Sequence, residues 1–262
     1  MKNYCDLQNK ICVVIGGAGK LGQAFSNACA SAGATVIVAD IDESRGKAIV
    51  TDIQTKGKVA DFMKCDVTNQ ESVESLVSNV YAKYGRVDGV VNASHVPSTS
   101  VSGGTHFMEV EYESFVEGLV HHIGGTFLAA RAFGKRMQKQ NKGSIVLIGS
   151  MYGHFPPRFE IYEGLDMTQP AQYAIAKGGL TNFTRYLAKY FGPYGVRVNM
   201  LSPGGIEGDF QAEFKERFKK HSLLDSRMLE PEEIAPTLAF LFSDASAHMT
   251  GQNLAVDSGW TI

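Results

Sequence analysis

Apolar residues in this chain come in short continuous runs, separated by longer stretches where they recur every three or four positions. The first run, ICVVIGG (11–17), is apolar throughout and closes on glycine, which predicts a strand buried on both faces. From about Lys20 to Ala32, the apolar Leu21, Phe25, Ala28 and Cys29 fall near helical spacing. ATVIVAD (34–40) predicts a second strand, and Glu43 to Lys56 an amphipathic helix. ADFMKCD (60–66), a helix near Ser72 to Tyr84, and VDGVVNAS (87–94) continue the alternation. GSIVLIGS (143–150) and VRVNMLSPGG (196–205) predict strands five and six, and QNLAVDSGW (252–260) a short seventh. Strands apolar on both faces, each followed by a helix, imply a parallel sheet covered on both sides. No Pro/Ser-rich linker or composition shift divides the chain. The expected fold class is α/β: a single doubly wound domain over residues 1–262, with a parallel sheet of about seven strands.

Two stretches break the rhythm. One is HVPSTSVSGGTH (His95 to His106), after the fourth strand; the other runs from Gly153 to Pro170, after the fifth. In an open parallel sheet, ligands bind outside the carboxyl ends of the strands, so both stretches are expected to border the site.

Composition narrows the class. Of 262 residues, 44% are hydrophobic and 20% charged, enough for a sizeable core. A formal net charge of −2 gives no field for drawing in nucleic acid or an anionic membrane. The four cysteines (Cys5, Cys12, Cys29, Cys65) show no metal-ligand spacing, so free thiols in a reducing compartment are expected. The polar start MKNYCDLQNK and the lack of a long apolar run imply a soluble cytoplasmic protein acting on a small molecule.

Gly16, Gly17, Ala18, Gly19, Lys20, Leu21 and Gly22 follow the first strand and open the first helix. Gly17, Gly19 and Gly22 fit G-x-G-x-x-G in the strand–turn–helix setting that the motif requires. Glycine permits the tight turn and the close approach of backbone to a pyrophosphate, and the helix N-terminus offers free N–H groups. Asp40 ends the second strand, where an acid accepts hydrogen bonds from the ribose hydroxyls of NAD and repels a 2′-phosphate. Lys20 complicates the choice. It could meet a 2′-phosphate and favour NADP, lie on the pyrophosphate, or point to solvent. NAD is the expected cofactor, with NADP the alternative.

The chain resembles the short-chain dehydrogenase/reductases along nearly its whole length. The matching pieces are the glycine loop, CDVT with Asp66 and Val67, VNAS with Asn92 and Ala93, Ser150, YAIAK, RVNMLSPGG and the terminal VDSGW. The resemblance implies a Rossmann-like fold, a nicotinamide cofactor and a homodimer or homotetramer. It puts Asp66 and Val67 beside the adenine, Asn92 and Ala93 along the cofactor, and Pro203, Gly204 and Ile206 near the nicotinamide. Tyr173 and Lys177 are four apart, so they share a helix face, with Pro170 suited to the first turn. An ammonium beside a phenol favours the phenolate and is expected to lower its pKa. Small Ala174 and Ala176 leave room for a cofactor against the helix. The resemblance makes Tyr173 the general acid/base, Lys177 its partner and the holder of the nicotinamide ribose, and Ser150 the donor to the substrate oxygen.

Departures from the family pattern stand at Ile15 and Lys20 in the loop, at Ser94 in Val91-Asn92-Ala93-Ser94, and at Gly208 where a Thr often contacts the nicotinamide. His122 in HHIGGTFL takes the place of the family's catalytic Asn, as a candidate member of the proton relay. Ser150 and Tyr173 are 23 positions apart, about ten more than the family's usual spacing, which implies an active-site insertion at about 153–170. Its Phe155, Arg158, Phe159, Glu160, Tyr162, Glu163 and Asp166 suit a polyhydroxylated ligand, with Arg158 able to meet a phosphate. A surface loop or an oligomer contact is the competing reading. The chain also resembles oxidoreductases of bacterial surface-sugar and flagellin-glycan pathways. Three functions stay open: an oxidoreductase acting on a sugar or sugar phosphate, a 3-ketoacyl-type carbonyl reductase, or a cofactor-binding scaffold with weak turnover.

Overall fold

The structure is a computed structural model that describes residues 4–94 and 106–262, except the His121 side chain. The stretch expected to border the site at 95–106 therefore lies outside the described residues, apart from His106.

Five of the strands are buried along nearly their whole length: β1 (Ile11–Ile15), β2 (Thr35–Asp40), β4 (Gly89–Asn92), β5 (Gly143–Ile148) and β6 (Val196–Pro203). With β3 (Ala60–Lys64) and β7 (Asn253–Val256) they form one seven-stranded sheet in the order β3-β2-β1-β4-β5-β6-β7. Every pairing is parallel. The chain winds outward from β1 to β3, returns to pair β4 with the other side of β1, and winds outward again. The switch point is between β1 and β4, and the register there sets Ile15 opposite both Ala39 and Asn92. The ends of β1, β2 and β4 thus stand at one level.

Helices cover both faces. On one, α1 (Lys20–Ser31), α2 (Glu43–Thr55) and α7 (Pro231–Phe242) bury Phe25, Cys29, Ile53, Leu238 and Phe242 against the sheet. On the other, α3 (Gln70–Tyr84), α4 (Tyr112–Gln140) and α5 (Ala171–Phe191) bury Leu76, Phe133, Met137 and Leu187. Local signals fix the ends. The Asp42 side chain accepts from the Arg45 N–H at the start of α2, and Asn69 from Ser72 at the start of α3. Gly85 closes α3 in the left-handed region, φ 74°. Pro170 stands one place earlier than expected, at the N-cap of α5 with φ −65° rather than inside the first turn.

Three helices are not delineated by the hydrophobic pattern: α4, α6 (Ala212–Lys219) and α7. In α4 the period is blurred because Tyr112, Val116, Val120 and Phe127 are exposed. In α7, Pro231 and Pro236 read as breakers, yet Pro231 sits in the first turn behind a Glu230–Glu233 capping box.

Candidate active site

The switch point opens into a cavity of about 840 Å³, walled by the glycine loop, the ends of β2 and β4, and the segment after β6. Gly16, Gly19, Lys20, Leu21, Asp40, Asp66, Val67, Ala93 and Ile206 line it, all of them residues singled out in the sequence. Gly17 and Gly22 do not. A Cβ on Gly17 would stand 2.8 Å from Val38 Cγ1, and one on Gly22 would overlap the Gly16 carbonyl. Both packings let the loop fold tightly on itself. Gly16, at φ 73°, is required twice over: the left-handed region favours glycine, and a Cβ would press into the Ser94 and Ala93 backbone. Gly19 is the N-cap of α1 with no side-chain cap, so the helix's first N–H groups face the cavity unclaimed by a capping group.

Asp40 is held rigidly. One carboxylate oxygen accepts the Ala18 N–H at 2.8 Å and the other the Asp42 N–H at 2.9 Å. Each oxygen keeps a lone pair for a further donor. Lys20 turns the opposite way, donating to the Glu207 carbonyl beyond β6, while Glu207 pairs with Lys215. Because β2 and β6 lie on opposite sides of β1 in the sheet, Lys20 points away from the Asp40 end.

A second pocket of about 300 Å³ shares Leu21, Ala93, Ser94, Ile206 and Phe210 with the cavity. It brings together His122, Ser150, Tyr173 and Lys177 with Asn92, Pro203 and Gly204. The Ser150 hydroxyl accepts the Tyr152 N–H at 3.2 Å and faces the same pocket as Tyr173. Lys177 Nζ donates to the Ile148 carbonyl at 2.9 Å and lies 5.5 Å from the Tyr173 ring centre. The His122 ring meets the Tyr173 ring edge-on at 5.1 Å. Asn92 braces the end of β4, donating to Thr126 at 3.2 Å and accepting from the Ser94 N–H and hydroxyl.

The electrostatics correct one expectation. Tyr173 is not lowered but raised above the usual phenol value, because burial disfavours the phenolate; the Ser150 hydroxyl pulls it part of the way back. Burial acts on Lys177 in the opposite sense and brings it down to about 8. The pair i and i+4 is adjacent as its spacing predicts, but burial sets the direction of both shifts.

The segment 153–170 holds fewer free aromatic faces than expected. Tyr162 and Tyr152 are buried and share a hydroxyl–hydroxyl bond of 2.8 Å, and Phe155 packs edge-to-face on the buried Trp260. With Phe214 and Phe218 of α6 they make a third hydrophobic cluster that backs onto Tyr173. Phe159, Glu160 and Glu163 remain exposed. Two lining residues, Arg45 and Phe210, are not marked out by any motif in the sequence. Arg45 lines the cavity near Asp40, and its place one turn into the helix after Asp40 was the available signal. Phe210 lines both pockets, and no sequence signal points to it.

The likenesses to known proteins agree with this geometry. A family profile described as Enoyl-(Acyl carrier protein) reductase matches residues 17–261. The chain is 35% identical over 257 residues to the Post-translational flagellin modification protein A of Campylobacter coli, covering 98% of this chain and 100% of that one. It is 32% identical over 263 residues to a 2,5-dichloro-2,5-cyclohexadiene-1,4-diol dehydrogenase of Sphingobium indicum, covering 98% of each. Among solved structures, a short chain dehydrogenase from Leptospira borgpetersenii with bound NAD+ superposes with a TM-score of 0.84 at 29% identity, covering 100% of this chain and 97% of that one. With a seven-stranded Rossmann-like sheet, a glycine loop at its switch point and these relatives, the chain belongs to the short-chain dehydrogenase/reductase family of oxidoreductases.

Proposed function

We propose that the protein interconverts an alcohol and a ketone with NAD, acting on a sugar or sugar phosphate. The observation that carries this reading is the convergence of Ser150, Tyr173 and Lys177 on one pocket that opens into the larger cavity. The cavity suits a dinucleotide: the glycine turn excludes Cβ atoms, the N-terminus of α1 is uncapped, and a fixed carboxylate stands at one end. When bound, the nicotinamide supplies or accepts the hydride. Tyr173 protonates the carbonyl oxygen in one direction and takes the hydroxyl proton in the other. The Ser150 hydroxyl donates to that oxygen as charge develops on it. Lys177, anchored on the Ile148 carbonyl, sets its ammonium against the phenol and holds the ribose. Asp66 and Val67 flank the adenine in this reading, and Pro203, Gly204 and Ile206 border the nicotinamide. The pocket's other polar groups, from Asn92, Ser94, His122 and Thr126, suit a hydroxylated substrate. The test is a panel of sugars, sugar phosphates and a 3-ketoacyl thioester with NAD and NADP, followed at the nicotinamide absorbance. Turnover confined to the thioester sinks the sugar assignment.

NAD is favoured because Asp40 is fixed at the ribose end and Lys20 is directed away from it. Asp40→Ala is expected to weaken NAD about tenfold, the scale of a lost hydrogen bond to a charged group, and to improve NADP by removing repulsion of its 2′-phosphate. Arg45 is then free to receive that phosphate. Equal use of both cofactors by the wild type refutes the assignment.

His122 stands in the relay by virtue of its edge contact with Tyr173. An imidazole can donate and accept through a water, as an amide can, but it also changes charge near neutral pH. A cationic His122 beside Lys177 opposes the ammonium, so the neutral ring is the working form. His122→Asn is expected to keep most activity and lose the acidic limb of the pH–rate profile, whereas His122→Ala slows the reaction. Superimposable profiles for wild type and His122→Asn exclude the role.

A homodimer or homotetramer is the proposed assembly. Phe127, Phe183, Tyr186 and Tyr190 form a row of neighbouring rings on α4 and α5, with ring centres 6.2–6.4 Å apart, and Tyr186 and Tyr190 are mostly exposed. The cytoplasm is the proposed location, supported by the buried Cys12, Cys29 and Cys65, which form no disulfide. Among the described residues, no helix is long and apolar enough to cross a membrane.

A further inference from the structure

Arg158 has no part in the proton chemistry above. Its guanidinium lies 5.0 Å from the Phe155 ring centre and 5.1 Å from that of Trp260. Aromatic faces hold the plane of a cation without neutralising it. Glu160, Glu163 and Asp166 share its segment and are exposed, yet among the described residues no ion pair joins any carboxylate to Arg158. Its Nε is buried without an acceptor, and so is the Trp260 indole nitrogen. The cluster therefore offers donors and a positive charge with no acceptor of its own, an arrangement that is unfavourable until an anion completes it. Its location is also informative. Tyr173 packs against the cluster that contains Tyr152, Phe155 and Trp260, so the rings that hold the guanidinium connect it to the proton-transfer centre. Arg158 is itself partly exposed, so its end can be reached.

We propose that Arg158 recognises an oxyanion, a carboxylate or phosphate, carried by the substrate at the end remote from its carbonyl. A planar guanidinium braced against two aromatic rings is preorganised for a two-pronged bond to such a group. The inference rests on the oxidoreductase reading and narrows its substrate class to an acidic sugar derivative.

Trp260 is the chain's single tryptophan, so its emission reports on Arg158 without cofactor or turnover. The titrants are gluconate, the neutral polyol sorbitol at matched ionic strength, and inorganic phosphate. Gluconate is expected to change the emission saturably and sorbitol to leave it unchanged. Arg158→Met is expected to weaken gluconate about tenfold or more, the scale of a charged hydrogen bond. Arg158→Lys keeps the charge but not the fork, so its affinity falls between the two; it also carries the test if the Met variant fails to fold. A gluconate response that survives both substitutions overturns the site, as does an equal response to sorbitol or none to any anion. Phosphate competing with gluconate supports a shared anion site, whereas a response to phosphate alone overturns the assignment to substrate. Nicotinamide turnover is scored separately. An Arg158-dependent gluconate response in a protein that oxidises no alcohol with either cofactor sinks the oxidoreductase reading and leaves the anion site standing.

Discussion

Tyr173→Phe is expected to lower turnover by about 10²–10⁴-fold, the range for a lost general acid/base, with little change in dinucleotide affinity. Phenylalanine keeps the ring that His122 meets edge-on and removes only the hydroxyl. The substitution therefore separates proton transfer from packing. The two directions of reaction should differ in pH dependence. Burial holds Tyr173 as a neutral phenol at pH 7, which is the form that protonates a carbonyl. Reduction needs no deprotonation of Tyr173, so its rate should be nearly flat above the acidic limb assigned to His122. Oxidation needs the phenolate and should speed up as pH rises. Lys177 titrates at about 8, so its ammonium is present below that pH and its support for the phenolate fades above it. The gap between the directions should narrow fastest between neutrality and pH 8. Near-normal turnover in Tyr173→Phe excludes the phenol as the acid/base.

What is legible in the sequence follows from what each feature depends on. Strands buried on both faces write themselves as apolar runs, so ICVVI, TVIVAD and VRVNMLSP are located by their composition alone. Tyr173 and Lys177 sit one turn apart in a single helix, and a local period places them together. Burial is not local. The rise at Tyr173 comes from what surrounds it in the fold, and a helical spacing carries no information on that. The segment after Gly153 shows the same limit. Its aromatic residues read as a ligand platform, but Phe155 packs on Trp260, about a hundred positions later, and Tyr162 on Phe214 of α6. Arg158 stands out only once those rings are in place around it. In α7 the local signal misleads, since a proline that breaks a helix interior is favoured in its first turn.

The glycine loop gives the second large effect, because its glycines are needed for different reasons. Gly22 lies inside α1 with ordinary helical backbone, so its need for glycine is spatial. A Cβ there would overlap the Gly16 carbonyl and stand 2.7 Å from Gly17 Cα, both backbone atoms that cannot rotate aside. Gly22→Ala must push the first turn of α1 off the loop, at about 1–3 kcal/mol for overpacking. In a chain of this size that corresponds to a fall in Tm of roughly 2–12 °C, and the displaced turn takes the cavity wall with it. Gly19 differs. Its φ is −74°, open to any residue, and the nearest atom to an added Cβ is the Gly16 carbonyl at 3.2 Å. Gly19→Ala should therefore cost about 1 kcal/mol or less, the usual loss for alanine at an N-cap. Its methyl, however, stands on the wall where a pyrophosphate must approach the N–H groups of α1. Dinucleotide affinity is expected to fall about tenfold or more, as when a hydrogen bond to a charged group is lost. Thermal unfolding and nicotinamide titration on the two variants should give opposite rankings: Gly22→Ala the greater loss of stability, Gly19→Ala the greater loss of affinity for each degree of Tm. A Gly19→Ala protein that binds the dinucleotide as tightly as the wild type would remove the loop from the binding site.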